Sequence, residues 1–288
     1  MTRPEHRSAD EDAQESELQR LRAEVRDLRA RARVHPLISQ AQGILQERYR
    51  LPDADTAFVL LQRASQRFNV KVRILADFVV TVPGPESREQ LWFPRRLRLP
   101  EPGLRFEAGH QPETRNRGGV LGAVLSQTLS VVDTGMGNVQ VSERSGRGLV
   151  MEKHTGLTPE FVEFFAHVGH VGTSCGLAAR DVTQVTVRDV EADPVFTEPA
   201  REAILAAGSR ACHSVPLTTT SGLCVGMVSA HLDHTFAGLS KAQLKALDVV
   251  GADGGRWLAW HDSTVVLDTL EHLHGVGRRM RGTRLRRE

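Results

Sequence analysis

The side chains best suited to chemistry in this 288-residue sequence are cations and amides between residues 42 and 73. Arg63 and Arg67 are four residues apart, so in a helix they lie on one face, one turn from each other. Cations neutralise phosphate groups, and amides can hydrogen-bond the base edges that nucleic-acid loops expose. For any single arginine a solvated helix face is the alternative. The predicted nucleic-acid surface consists of Gln42, Arg48, Arg63, Arg67, Asn69, Lys71 and Arg73.

A second group of residues, in the C-terminal half, is typical of a small-molecule pocket. Cys175 and Gly176 lie at a predicted helix start, where backbone N–H groups lack intrahelical partners. Asp189 follows a predicted strand, and Ser214 places a hydroxyl in an apolar strand. Ligand pockets are mostly apolar with a few convergent polar groups. The predicted ligand-binding residues are Cys175, Gly176, Ala178, Asp189, Ser214, Pro216 and Leu217.

Cysteines and histidines give weaker signals for catalysis or metal binding. The helix dipole at Cys175 favours a thiolate, and Cys212 lies on a strand expected to wall the same pocket, so a thiol oxidoreductase is one alternative. Small buried cysteines are, however, common core residues. His167 and His170 are three residues apart on a predicted helix, without a third ligand nearby. We expect no catalytic residues and no metal site, and no cofactor is identified.

The composition describes a globular protein of about two domains, with 40% hydrophobic and 25% charged residues. A net charge of +2 means that any basic surface must be local. Apolar windows fall short of the roughly 20 residues of a membrane span, and the polar N-terminus lacks a signal-peptide core. Three cysteines without metal-ligand spacing favour a reduced, cytoplasmic setting.

Residues 36–82 predict three short helices that would position the cations. Apolar residues recur at three- and four-residue steps, Asp53 or Asp55 can cap the second helix, and Asn69 suits the turn into the third. Helices this short bury only a small core, so the unit needs a partner surface.

This stretch contains a characteristic series of residues: Ile38, residues 41–45, Ala57, Phe58, Leu61, Ala64, Ser65, Asn69, Lys71 and Ala76. The series resembles the signature of the ANTAR domain, a family of bacterial regulators that bind paired RNA stem-loops and prevent a terminator from forming. The resemblance implies stem-loop RNA as the partner. Gln42 stands where the family usually has lysine, which removes one cation.

The segment before the three helices predicts a dimer. Residues 1–17 are polar, acidic and without periodicity, which is typical of disorder. In residues 18–35, apolar side chains alternate three- and four-residue steps as in a coiled coil, and a helix packed on its own chain is the alternative. A parallel homodimer would hold two copies of the unit together. The seam consists of Leu18, Leu21, Val25, Leu28 and Ala32.

The rest of the chain predicts a linker, a second domain and a basic tail. Prolines and glycines interrupt residues 83–119, which we expect to be a flexible linker packed in part around Trp92 and Phe93. Residues 120–272 predict strands, a helical crossing and a final hairpin, hence an antiparallel sheet with flanking helices. The arginine-rich residues 273–288 are typical of a disordered tail, or of an arm that contacts RNA phosphates.

The second domain contains a series of sequence blocks, in order residues 172–178, 187–190, 193–196, 207–211, 214–217 and 222–229. These blocks resemble the GAF domain, a PAS-like small-molecule sensor that is usually not an enzyme. The overall prediction is an α+β protein in which an ANTAR unit binds stem-loop RNA under the control of a GAF sensor and its ligand. The alternatives are a sensor or dimerisation protein that does not bind RNA, and a GAF-fold thiol oxidoreductase.

Overall fold

The computed structural model describes residues 9–86, 89–106, 116–144, 148–169 and 171–284. Helix α1 (Ala9–Tyr49) is 41 residues long and continues through Pro36. The prediction of disorder over residues 1–17 therefore differs from the structure at residues 9–17, and residues 1–8 lie outside the described part.

The three predicted helices are the end of α1, α2 (Ala54–Phe68) and α3 (Val72–Thr81). Asp53 caps α2, because its side chain accepts a hydrogen bond from the Thr56 amide at 2.7 Å. Asn69 ends α2 in the left-handed conformation, with φ of 52°, as its place in the turn suggested. We refer to the end of α1 from residue 36 together with α2 and α3 as the helical unit.

Helix α9 (Leu267–Arg284) supplies the partner surface that the helical unit needs. The Tyr49 hydroxyl and His274 Nδ1 are hydrogen-bonded at 2.8 Å, and the Phe68 and His272 rings lie 5.5 Å apart. The prediction of a disordered tail is wrong for residues 275–284, because they continue α9, where Gly277 is buried against the ring of Tyr49. The high arginine content of this segment did not indicate that α9 also has an apolar face.

The second domain is a six-stranded antiparallel sheet with the strand order β3-β2-β1-β6-β5-β4, flanked by helices. The predicted hairpins β1–β2 and β5–β6 are both present. The chain is thus α+β, as predicted. The strands are β1 (Met136–Ser142), β2 (Leu149–Thr155), β3 (His167–Val168), β4 (Val185–Val187), β5 (Ala211–Thr218) and β6 (Cys224–Leu232).

The helices divide between the two faces of this sheet. On one face lie α4 (Arg117–Val132) and α8 (Lys241–His261), and a π-helical turn (Asp262–Val266) joins α8 to α9. Their apolar side chains form one core that continues into the helical unit. A separate core on the other face contains α5 (Pro159–Phe164), α6 (Ser174–Asp181) and α7 (Glu198–Ala206).

The linker packs against α8 and α9 more extensively than a flexible tether would. The Trp92 indole donates to the Pro83 carbonyl, and its backbone amide donates to the Glu271 carboxylate. Arg105 binds the buried carboxylate of Asp253 at 2.8 Å. The prediction of a flexible linker is therefore wrong for residues 89–106, because carboxylates on α8 and α9 bind its backbone and arginines.

Candidate functional sites

The arginines of α2 form the outward part of the predicted RNA surface. Arg63 and Arg67 are both exposed and one helical turn apart, as their spacing predicted. The Arg67 guanidinium lies 5.9 Å from the centroid of the Phe68 ring. Two cations that face solvent on one helix face can contact successive phosphates of a bound nucleic acid.

Arg48, Gln42 and Asn69 have structural roles at the edges of this surface. The Arg48 guanidinium lies 4.6 Å from the centroid of the Trp92 ring, and its buried Nη1 has no hydrogen-bond partner among the described residues. Arg48 is therefore half-buried and its guanidinium packs against the linker. Gln42 Nε2 donates to the Ala54 carbonyl at 3.0 Å, which fixes the turn between α1 and α2.

Lys71 and Arg73, at the start of α3, bind a carboxylate of the sheet. Glu152 on β2 accepts from Lys71 and, at 2.6 Å, from Arg73, and only 2% of its side chain is exposed. Burial by itself would raise the pKa of Glu152, but Arg117, Arg73 and Lys71 together hold that pKa below its usual value. The seven predicted RNA-binding residues are thus divided between solvent, the linker and the sheet.

A cavity lies between the sheet and helices α5–α7, where the ligand pocket was predicted. Its water-accessible volume is about 20 Å³, which accommodates roughly one water molecule. Cys175 contributes to its wall. The other lining residues are Asn138, Gln140, Phe161, Phe165, Thr173, Ser174, Phe196, Ile204, Ser229 and His231.

Buried polar groups form a network around this cavity. Ser214 Oγ is hydrogen-bonded to Ser174 Oγ at 3.2 Å and to Ser229 Oγ at 2.9 Å. His231 shares hydrogen bonds with Asn138 and Ser209, and burial lowers its pKa to about 4, so the ring is neutral at pH 7. Gln140 Oε1 is buried and has no hydrogen-bond partner among the described residues. This oxygen is an acceptor that a ligand donor could reach.

The other predicted ligand-binding residues do not line the cavity. Leu217 is on the opposite face of the sheet, against α8, because it is three residues from Ser214 on one strand. Pro216 shares the face of Ser214 but does not line the cavity, nor do Gly176 and Ala178 on α6. Asp189 accepts a hydrogen bond from the Glu191 amide within its own loop.

The thiols have environments that disfavour thiolates. Burial raises the pKa of Cys175, although Thr173 is within hydrogen-bond distance, and raises the pKa of Cys212 to about 12. The expectation of a thiolate at the start of α6 is therefore wrong, because burial outweighs the helix dipole. Thr173 also caps α6 by accepting from the Gly176 amide at 3.1 Å.

The histidine pair does not share a helix. His167 lies on β3, paired with β2, and His170 is outside the described residues. Within the described ranges there is no group of three histidine, cysteine or acidic side chains that could hold a metal ion. The described helices include none that is both long and apolar enough to cross a membrane.

The polar residues of β1 were missed by sequence reasoning, although they carry a usable signal. Asn138 and Gln140 are two residues apart, so both point to the same face of the strand. Two polar residues at that spacing between apolar ones, Val139 and Val141, indicate a polar lining on one side of the sheet. That side is the cavity side.

Comparison with known proteins identifies the N-terminal domain. Residues 26–80 match the family model of the ANTAR domain. No curated protein matches the chain.

Several solved structures are similar to the chain over about half its length. The GAF domain/HD domain protein of Geobacter sulfurreducens is 15% identical with a TM-score of 0.43, over 50% of this chain and 94% of that one. The GAF domain of an Acinetobacter phosphoenolpyruvate-protein phosphotransferase is 16% identical with a TM-score of 0.39, over 56% and 86%. The free methionine-R-sulfoxide reductase of Thermoplasma acidophilum is 15% identical with a TM-score of 0.39, over 49% and 94%. The chain therefore carries an ANTAR domain at residues 26–80, joined to an antiparallel α+β domain.

Proposed function

We propose that this protein is a cytoplasmic regulator that binds stem-loop RNA through its ANTAR domain, in the manner of transcription antitermination, under the control of a GAF sensor domain. The observation that carries the proposal is the ANTAR match over residues 26–80, in which Arg63 and Arg67 face solvent. The GAF assignment is supported by the order of its sequence blocks. Three of those blocks, residues 172–178, 193–196 and 222–229, contribute to the wall of a cavity that also contains a buried, unpaired acceptor, Gln140 Oε1.

RNA binding begins on the exposed face of α2. Arg63 and Arg67 contact phosphates first, since both are exposed. Lys71 is 60% exposed although it pairs with Glu152, so an RNA phosphate can compete for its ammonium group. Arg73 is only 25% exposed and becomes available when the contact with Glu152 opens. The contact between α3 and β2 therefore limits RNA affinity.

Filter binding with the full chain tests this proposal. We expect a two-stem-loop RNA to bind more tightly than a scrambled RNA, with affinity that falls as salt rises, because each phosphate contact releases counterions. Arg63→Ala with Arg67→Ala should weaken binding about tenfold or more. The matched control is Lys241→Ala with Lys245→Ala, which removes two exposed cations one turn apart on α8. Equal affinity for both RNAs would exclude stem-loop recognition.

The amino-terminal part of α1 holds two copies of the chain together in this proposal. Leu18, Leu21, Val25 and Leu28 are between 43% and 56% exposed, although they form the apolar stripe of a heptad pattern. Two stem-loops require two ANTAR units at high effective concentration, which a parallel pair of α1 helices provides.

Light scattering tests the dimer. Leu21→Lys with Leu28→Lys should give monomers, because it places charges in the apolar seam. Leu97→Lys is the control, since Leu97 is 79% exposed and lies in the linker. A wild-type monomer at micromolar concentration would contradict the proposed dimer.

The sensor acts on the contact between α3 and β2 in this proposal. A ligand larger than water must open the cavity of about 20 Å³, which displaces the adjoining strands and helices. Strand β2, which carries Glu152, is paired with β1, whose Asn138 and Gln140 line that cavity. Binding changes RNA affinity only if the ligand has different affinities for the open and closed contact.

The thiol oxidoreductase alternative has less support. Its nucleophile would be Cys175 or Cys212, and both side chains are buried with raised pKa values. Turnover of methionine sulfoxide by the purified protein would nevertheless favour that alternative. Loss of stem-loop preference without turnover would favour a sensor or dimerisation protein that does not bind RNA.

A further inference from the structure

A second cavity lies where the helical unit meets the sheet, away from the sensor cavity. Its water-accessible volume is about 150 Å³, roughly ten times what a single water needs. Its walls come from the turn before α3, the start of α4 and strand β2. The lining residues are Asn69, Lys71, Asn116, Arg117, Gly118, Leu121, Glu152 and Lys153.

Positive charge exceeds negative charge around this cavity. Lys71, Arg117 and Lys153 line it together with one carboxylate, Glu152. Arg73 also binds Glu152, and Arg117 binds Asp262 at 3.1 Å, so four cations face two carboxylates. The neighbouring positive charge affects the carboxylate of Asp262. Burial by itself would raise the pKa of Asp262, but His261 and Arg117 hold that pKa below its usual value. An anion that enters the cavity therefore meets a net charge of about +2.

The donors that point to a specific anion site are at the start of α4. Arg117 is only 8% exposed, and its buried Nε has no hydrogen-bond partner among the described residues. An unpaired buried guanidinium nitrogen is costly, and an anion oxygen would satisfy it. The first amides of a helix have no intrahelical acceptors, and here the Asn116 side chain accepts a hydrogen bond only from the Gly119 amide.

Gly118, in the first turn of α4, lies beside a cation from the sheet. A Cβ atom at this position would lie 3.8 Å from Lys153 Nζ and 3.4 Å from Asn116 Oδ1. The Lys153 ammonium is thus held beside the first turn of α4, where the helix dipole also favours negative charge. A guanidinium, an ammonium and a helix N-terminus around one cavity form the donor set that phosphate groups prefer.

We propose that this cavity binds the phosphate group of a small phosphorylated metabolite or free phosphate. The group accepts hydrogen bonds from Arg117 Nε and from the first amides of α4, and it pairs with Lys153 and Lys71. Lys71 then has two competing anions, Glu152 and the ligand. Occupancy therefore loosens the contact between α3 and β2. This consequence for RNA binding rests on the proposed function, whereas the site itself does not.

Calorimetric titration of the full chain without RNA tests the site. The probes are inorganic phosphate and sn-glycerol 3-phosphate, with chloride at matched ionic strength as the reference. We expect saturable binding of at least one phosphate probe, and about tenfold weaker binding in Lys153→Gln. The control is Lys241→Gln, which removes an equal charge from the exposed start of α8 and should leave binding unchanged.

The possible outcomes distinguish a phosphorylated metabolite from free phosphate, and they distinguish the phosphate site from the proposed RNA-binding function. Preference for sn-glycerol 3-phosphate supports a phosphorylated metabolite, and equal binding of both probes supports free phosphate. Absence of saturable binding, or an equal loss in both variants, overturns the site. If neither probe binds but Lys153→Gln weakens stem-loop RNA, the cavity is part of the RNA surface and the small-ligand site is overturned. Failure of RNA binding alone would leave the phosphate titration unaffected.

Discussion

Replacement of Glu152 by glutamine should raise the affinity for stem-loop RNA, because it weakens the hold of the sheet on Lys71 and Arg73. The Arg73 side chain is 25% exposed and its bond to Glu152 is 2.6 Å long, so this charge-assisted contact contributes about 1.5–3 kcal/mol. Lys71 is 60% exposed, and solvent screening limits its contribution to less than about 1 kcal/mol. Glutamine keeps one acceptor oxygen, so we expect a net loss of about 2 kcal/mol.

A loss of about 2 kcal/mol shifts the equilibrium between the closed and open states of the contact between α3 and β2 about 30-fold towards the open state. RNA affinity in Glu152→Gln should therefore rise by up to about 30-fold, since RNA no longer competes with a full negative charge. Filter binding across a salt series measures both the affinity and its slope. The slope should steepen by about one to two units as one or two more phosphates are contacted.

The matched control is Glu202→Gln, which removes an exposed carboxylate from α7. It should leave RNA affinity unchanged, because α7 is on the other face of the sheet. Thermal unfolding followed by circular dichroism checks that both variants remain folded. If Glu152→Gln binds RNA no more tightly than the control variant, the contact between α3 and β2 does not limit RNA affinity and the reasoning is refuted.

Two further predictions concern stability. Burial lowers the pKa values of His213 and His231 to about 4, whereas unfolded imidazoles titrate near 6.5, so the unfolded chain binds more protons between these pH values. The free energy of unfolding should therefore fall on acidification from pH 7, by about 2 kcal/mol per histidine at pH 5. Urea titrations at several pH values measure this fall in the wild type and in His231→Gln. The same pH dependence in both proteins would contradict the prediction. Gly277→Ala should destabilise the chain by about 1–3 kcal/mol, because its Cβ would lie 2.6 Å from the ring of Tyr49. Gly275→Ala on the same helix, where the nearest atom is 3.6 Å away, should be neutral or stabilising in the same urea titration.

Local pattern was sufficient for most of the secondary structure. Apolar residues at helical spacing, with Asp53 or Asp55 as cap and Asn69 in the turn, predicted α2 and α3 because these signals act within a few residues, and Asp53 is the cap in the structure. Alternation and turn residues likewise predicted both hairpins. The ANTAR domain was predicted from the order of its signature residues along the chain, and the family match over residues 26–80 confirmed it.

Tertiary structure decided which predicted site residues are available and which additional ones matter. The sequence indicated cations near residue 71 but not that Glu152, about 80 residues later, would bind them, because such pairing depends on how α3 packs on β2. Ser214 and Leu217 were both predicted to line the ligand pocket, although their three-residue spacing on one strand puts them on opposite faces, and the structure shows that Leu217 faces away from the cavity. Gly118 lies in the first turn of α4. Its place beside Lys71 and Lys153 follows only from the packing of three distant segments, since no local signal joins them.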